Sequence, residues 1–134
     1  MSGTLRAFRV LLVLWAGSLW SLALWVAPML FHAQHDQQLA GVLAGRLFAI
    51  EAYLGIAIAA LALVLPGRAK FLWGYAGAAL LAIMQWVLRP IMTEAHAHGL
   101  AWGLGFAAWH VAAALTYGLA CIAVALLVWN DDFR

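Results

Sequence analysis

The sequence predicts an all-α, polytopic membrane protein: a four-transmembrane-helix bundle with the N and C termini cytoplasmic. Three observations carry that expectation. Four long apolar runs, at roughly 7–30, 45–66, 71–93 and 103–129, fill most of the 134 residues, and each is near or above the ~20 residues a helix needs to cross about 30 Å of hydrocarbon. Hydrophobic residues make up 68% of the chain and charged residues 9%, which leaves too little polar surface to coat a soluble domain. Arg6, Arg9, Arg68 and Lys70 gather at the ends of the runs on one side, as the positive-inside rule requires.

The first run follows Arg6 and Arg9 and imitates a secretory leader. Its length, its Trp15, Trp20 and Trp25, and its lack of a small-x-small cleavage site identify a retained first span instead. The connector from Phe31 to Ala44 carries His32, His35 and Asp36 and is expected outside. The second run holds Glu51 and ends at Pro66-Gly67, where Arg68 and Lys70 mark a cytoplasmic connector. In the third run Gln85 and Arg89 are i, i+4 neighbours, with Ala78 and Ala82 on the same face. A second outward connector, around Met92 to Trp102, holds Glu94, His96 and His98. On the fourth run Phe106, His110, Ala113, Tyr117 and Cys121 form one stripe. Nearly every residue falls in a span or a short connector, so residues 1–134 form a single domain. Each half follows the same plan of span, His-bearing connector, span, without an evident repeat. Small residues at helical spacing, such as Gly17 with Ser21 and Gly74 with Ala78, suit close helix approach.

The polar residues inside the runs are the functional lead. With a rise of about 1.5 Å per residue, Glu51 is roughly 9 Å from the outer end of its run, Arg89 about 6 Å, Gln85 about 12 Å and His110 about 10 Å. This places them in one outer-half layer, with Tyr117 two turns beyond His110 on the same face. An ionisable side chain in hydrocarbon costs about 2.5–3.5 kcal/mol on insertion scales, so each needs a partner or water. Glu51 with Arg89 is the obvious pair. One reading makes Glu51, Arg89 and His110 a structural network that fixes helix register. The other makes Glu51, Arg89, His110, Gln85 and Tyr117 an outward-facing pocket for a metal cation, a proton or a small ligand.

Outside the runs, His96 and His98 with Glu94, and His32 with His35, offer ligands suited to a transition metal. An alternative reading is a haem- or porphyrin-linked redox membrane protein using His110, since a haem requires axial side chains at depth and His110 is the one histidine deep enough. The single cysteine, Cys121, excludes an internal disulfide and suits a packed position in its helix. A formal net charge of +2, scattered at span ends, gives no nucleic-acid surface. No Gly-rich phosphate loop or nucleophile elbow occurs, which favours a non-enzymatic protein. The expected partners are the lipid bilayer, a metal ion or small ligand, and a second copy or another membrane subunit.

Several stretches carry a resemblance: Leu14-Trp15-Ala16-Gly17 leading to Ala27-Pro28-Met29-Leu30-Phe31, Ala44-Gly45-Arg46-Leu47-Phe48 with Glu51-Ala52-Tyr53-Leu54-Gly55, Arg89-Pro90, and Trp109-His110 before Leu127-Val128-Trp129. Over nearly its whole length the chain resembles the bacterial four-span family related to transmembrane protein 205. The resemblance implies a four-helix fold in the bacterial inner membrane and a distant kinship with copper-resistance D-type membrane proteins and a porphyrin-oxidising membrane family. It singles out Pro28, Phe31, Arg46, Phe48, Glu51, Arg89, Pro90 and His110. The chain departs from the pattern at Val111, where a glycine is expected, and in its connector histidines.

Overall fold

The computed structural model describes residues 3–65 and 71–130. Four helices account for almost all of them: α1 (Gly3–Ala33), α2 (Gln37–Val64), α3 (Leu72–His98) and α4 (Phe106–Asn130), each long and apolar enough to cross a membrane. Arg68, Lys70 and the tail from Asp131 to Arg134 lie outside the described residues, and with them part of the charge pattern used to orient the chain.

α1, α2 and α3 are longer than their apolar runs, and local capping accounts for where α2 begins and α3 ends. α2 starts at Gln37 because the Asp36 carboxylate accepts hydrogen bonds from the backbone N–H groups of Gln38 and Leu39, at 3.0 and 3.2 Å. Such a cap contributes about 1 kcal/mol. Gln37 Nε2 donates back to the Phe31 and Gln34 carbonyls, at 2.8 and 3.0 Å, closing the end of α1. At the far end of α3, Gly99 adopts φ +86° and stops the helix, a position that favours glycine. Ala101 and Leu104 then exchange both backbone hydrogen bonds, 2.9 and 3.0 Å, around Trp102 and Gly103. Those two residues take φ values of 54° and 79°, the left-handed pair of a type I′ turn. Trp109 Nε1 donates to the Ala101 carbonyl at 2.8 Å and ties this turn to α4.

Both odd-numbered helices widen into a π turn, at Leu22–Val26 in α1 and Met84–Leu88 in α3. In each the residue that closes the π turn is followed by proline, Ala27-Pro28 and Arg89-Pro90. Proline has no N–H to give the carbonyl four residues back, and its ring crowds that carbonyl. A wider turn relieves the clash: the Ala27 and Arg89 N–H groups bond to Leu22 and Met84, five residues back. The two halves thus share a local device in addition to their common plan.

The tightest seam joins α3 and α4, where a Cβ on Gly77 would meet Val124 Cγ2 at 2.8 Å. Such small residues let membrane helices approach closely. Gly55 sits where α1, α2 and α3 converge; a Cβ there would lie 3.1 Å from Trp15 Cζ2 and 3.3 Å from Leu81 Cδ1. Trp15, Leu19, Leu81 and Val124 are wholly buried. Gly17, by contrast, has open space where a Cβ would be, so no helix approaches there. Trp102 in the α3–α4 turn and Trp129 at the end of α4 are 81% and 84% exposed, in positions where amphipathic rings meet the membrane interface.

Candidate functional site

Helix geometry places Trp15, Ser18, Leu19 and Leu22 on one face of α1, since they follow the i, i+3, i+4, i+7 spacing. Three of them are buried. Ser18 is the polar member, and it meets Glu51 of α2. The Ser18 hydroxyl lies 3.1 Å from Glu51 Oε2 and 2.8 Å from the Trp15 carbonyl oxygen. Glu51 is 7% exposed and is the one buried charged residue among the described residues.

The opposite wall comes from α4, where Ala113, Tyr117, Ala120, Cys121 and Val124 are buried. Tyr117 donates its hydroxyl to the Leu19 carbonyl at 2.7 Å, and its ring meets Phe48 edge-on with centroids 4.9 Å apart. The Cys121 thiol approaches the same carbonyl at 3.8 Å. Trp20 Nε1 donates to the Cys121 carbonyl at 3.1 Å, locking α1 to α4. Glu51 is close enough to Tyr117 and Cys121 to interact with both electrostatically. Ser18, Glu51 and Tyr117 each sit near the midpoint of their helix, so this centre lies near the middle of the bundle. α1 opens into its π turn immediately beyond it.

Arg89 is half-buried and belongs to a different cluster. Its Nη1 donates to the Gly45 carbonyl at 2.9 Å and to Gln85 Oε1 at 3.2 Å. A Cβ on Gly45 would fall on the guanidinium group, so the glycine forms the notch in which Arg89 lies. The expected Glu51–Arg89 pair is absent: Glu51 bonds Ser18 and Arg89 bonds α2 backbone and its own i−4 neighbour. Gly45 and Glu51 are six residues apart on α2, about 9 Å along the axis and about 120° around it. One faces α3 and the other α1.

His110 also stands apart from the mid-bundle centre. It is exposed near the start of α4, and no hydrogen bond or ion pair links it to Glu51 or Arg89 among the described residues. Its ring stacks on Phe106 with centroids 5.9 Å apart, while His96 meets the same phenyl edge at 5.3 Å. The stripe expected on the fourth run is therefore divided: Ala113, Tyr117 and Cys121 are buried, whereas Phe106 and His110 are exposed. A stripe is buried only where a neighbouring helix covers it, and the first turns of α4 meet the end of α3 through Phe106 instead.

Glu94, His96 and His98 lie on the last turns of α3, His32 on the last turn of α1, and His35 in the connector. On a helix, His96 and His98 point about 160° apart. No three His, Cys, Asp or Glu side chains gather into a metal-holding group among the described residues. Ser18 is the participant absent from the sequence reading, and Gly45 enters it only through the family resemblance; Cys121 figures there as a packed member of the α4 stripe and Trp15 as a residue of the first span. Glu51 and Ser18 lie 33 residues apart on different helices, so composition alone gave no signal for their contact.

The chain belongs to a family defined by a domain of unknown function, DUF4149, whose profile matches residues 10–131. No curated protein and no solved structure matches it.

Proposed function

We propose that this protein is a non-enzymatic integral membrane protein whose centre at Glu51 reversibly holds one positive charge, a proton or a small cation. The observation that supports this is a count of hydrogens. A serine hydroxyl carries one hydrogen, yet Ser18 Oγ lies within bonding distance of two acceptors, Glu51 Oε2 and the Trp15 carbonyl. With Glu51 ionised, the one hydrogen serves both contacts only by being shared between them, which leaves at least one of them weak. A proton on Glu51 completes the chain, the carboxyl O–H donating to Ser18 and Ser18 to Trp15. A cation among the same oxygens does the same.

Depth supports the reading as well. A carboxylate near the middle of a membrane bundle, with no basic partner among the described residues, is costly unless it is neutralised. Intramembrane ion sites in transporters lie near the midplane beside interrupted helices, and the α1 π turn follows Ser18 within two turns. The basic residues Arg6, Arg9, Arg68 and Lys70 favour an orientation with both termini inside; a bacterial inner-membrane location rests on the family resemblance. The connector histidines then face outward.

Infrared difference spectroscopy on lipid-reconstituted protein tests the assignment. Acid and alkaline steps are expected to make a carboxylic-acid C=O band appear and vanish reversibly. That band is absent in Glu51→Gln and shifts in Ser18→Ala. A wild-type spectrum in which no carboxylic-acid band assignable to Glu51 forms or disappears, with or without added cations, would contradict the proposal.

A further inference from the structure

Building on the reading of Glu51 as a reversible charge site, we infer that the cation it accepts is a hard monovalent ion of the sodium type, exchanging with a proton. The donor atoms are all oxygen: the Glu51 carboxylate, Ser18 Oγ and the Trp15 main-chain carbonyl, held within 2.8–3.1 Å of the serine hydroxyl. Carbonyl, hydroxyl and carboxylate oxygens suit hard cations, whereas imidazole and thiolate select transition metals. No histidine contributes here, and the Cys121 thiol is directed to the Leu19 carbonyl.

Charge decides between one and two positive charges. Glu51 is the one buried charged residue among the described residues, so a monovalent ion leaves the centre neutral. A divalent ion leaves a net charge in an apolar bundle, which membrane interiors penalise heavily. The titratable side chains within electrostatic reach are Tyr117 and Cys121 of α4. α1 brings Ser18 and Trp15, and α3 brings Leu81 and Ala78 beside Gly55, none of them ionisable.

A second observation concerns Trp15. Its indole Nε1 is buried without a hydrogen-bond partner, and its ring lies against Gly55, one turn along α2 from Glu51. Buried donors are normally satisfied. A water in the coordination shell of a bound ion offers the indole an acceptor in a wall that is otherwise apolar. The Tyr117 hydroxyl, already donating to Leu19, retains lone pairs on its oxygen for the same shell.

The test is modification of Glu51 in the full chain, in vesicles, by dicyclohexylcarbodiimide, which adds to protonated carboxyl groups in apolar sites and is located by peptide mass spectrometry. At sodium about ten times its Kd, labelling of Glu51 is expected to slow about tenfold relative to equal choline chloride. Ser18→Ala is expected to lose the protection while still being labelled, and Ser18→Thr, which restores the hydroxyl, to regain it. Labelling that proceeds equally in sodium and choline overturns the sodium assignment and leaves a proton-only site. Protection by zinc or copper but not by sodium overturns it in favour of a soft-metal site. Failure of Glu51 to label in folded wild type under any salt or pH overturns the charge-site reading itself.

Discussion

Arg89 and Glu51 lie in one bundle and carry opposite charges, but each is surrounded by neutral groups instead of by the other. Arg89 lies in a glycine notch and shares its donors between a main-chain carbonyl of α2 and the Gln85 amide. Each of its contacts joins a donor to an acceptor. Glu51 meets a hydroxyl that also lies within bonding distance of the Trp15 carbonyl, and on the proposed reading the set is short of one positive charge. The first arrangement is complete as it stands and acts as a staple between α2 and α3. On the proposed reading, the second is complete only with an occupant.

Removing the staple tests that contrast most severely. Arg89→Ala is expected to lower unfolding stability in detergent by about 2–3 kcal/mol, because it abandons charge-assisted bonds to partly buried acceptors. Glu51 should remain open to carbodiimide labelling in this variant. Gly45→Leu, which fills the notch from the other side, is expected to cost about the same through displacement of the guanidinium. Thermal unfolding of the two variants and their double mutant measures this; full additivity would separate the notch from the arginine.

On the side of the acidic centre the stability effects are smaller. Tyr117→Phe should cost about 1 kcal/mol by leaving the Leu19 carbonyl with one side-chain donor fewer, and it should weaken sodium protection without abolishing it. Away from both clusters, Trp102→Gly is expected to stabilise the fold by about 1 kcal/mol, since Trp102 holds a left-handed backbone conformation that costs a side-chain-bearing residue about that much. Smallest of all, Glu51→Gln should change unfolding stability by about 0.5 kcal/mol or less, because glutamine keeps the contact to Ser18 and removes the need for an occupant. A loss as large as that of Arg89→Ala would make Glu51 a structural group as well.

The helices were legible in the sequence because length and apolarity are properties of a run, and four runs are evident without any knowledge of packing. Depth was less so. Gln37 and Gln38 are polar and fell outside the second apolar run, but the Asp36 cap starts α2 there and moves Glu51 to the middle of its helix. Azimuth was the largest gap. Gln85 and Arg89 share a face by spacing alone and do bond, whereas Glu51 and Arg89 lie on different helices that pack closely at Gly45 and Gly55. Ser18 is one hydroxyl in an apolar run and stands out only once Glu51 is seen against it. His110 follows Tyr117 in register but lies beyond the cover of a neighbouring helix.

A double-mutant cycle between Glu51→Gln and Arg89→Gln, read by unfolding free energy in detergent, tests most directly whether these are two separate centres. The account predicts additivity within about 0.3–0.5 kcal/mol, as for groups that share no partner. A coupling energy of about 1 kcal/mol or more would mean that Glu51 is already neutralised by Arg89, and the case for an exchangeable charge at Glu51 would fail.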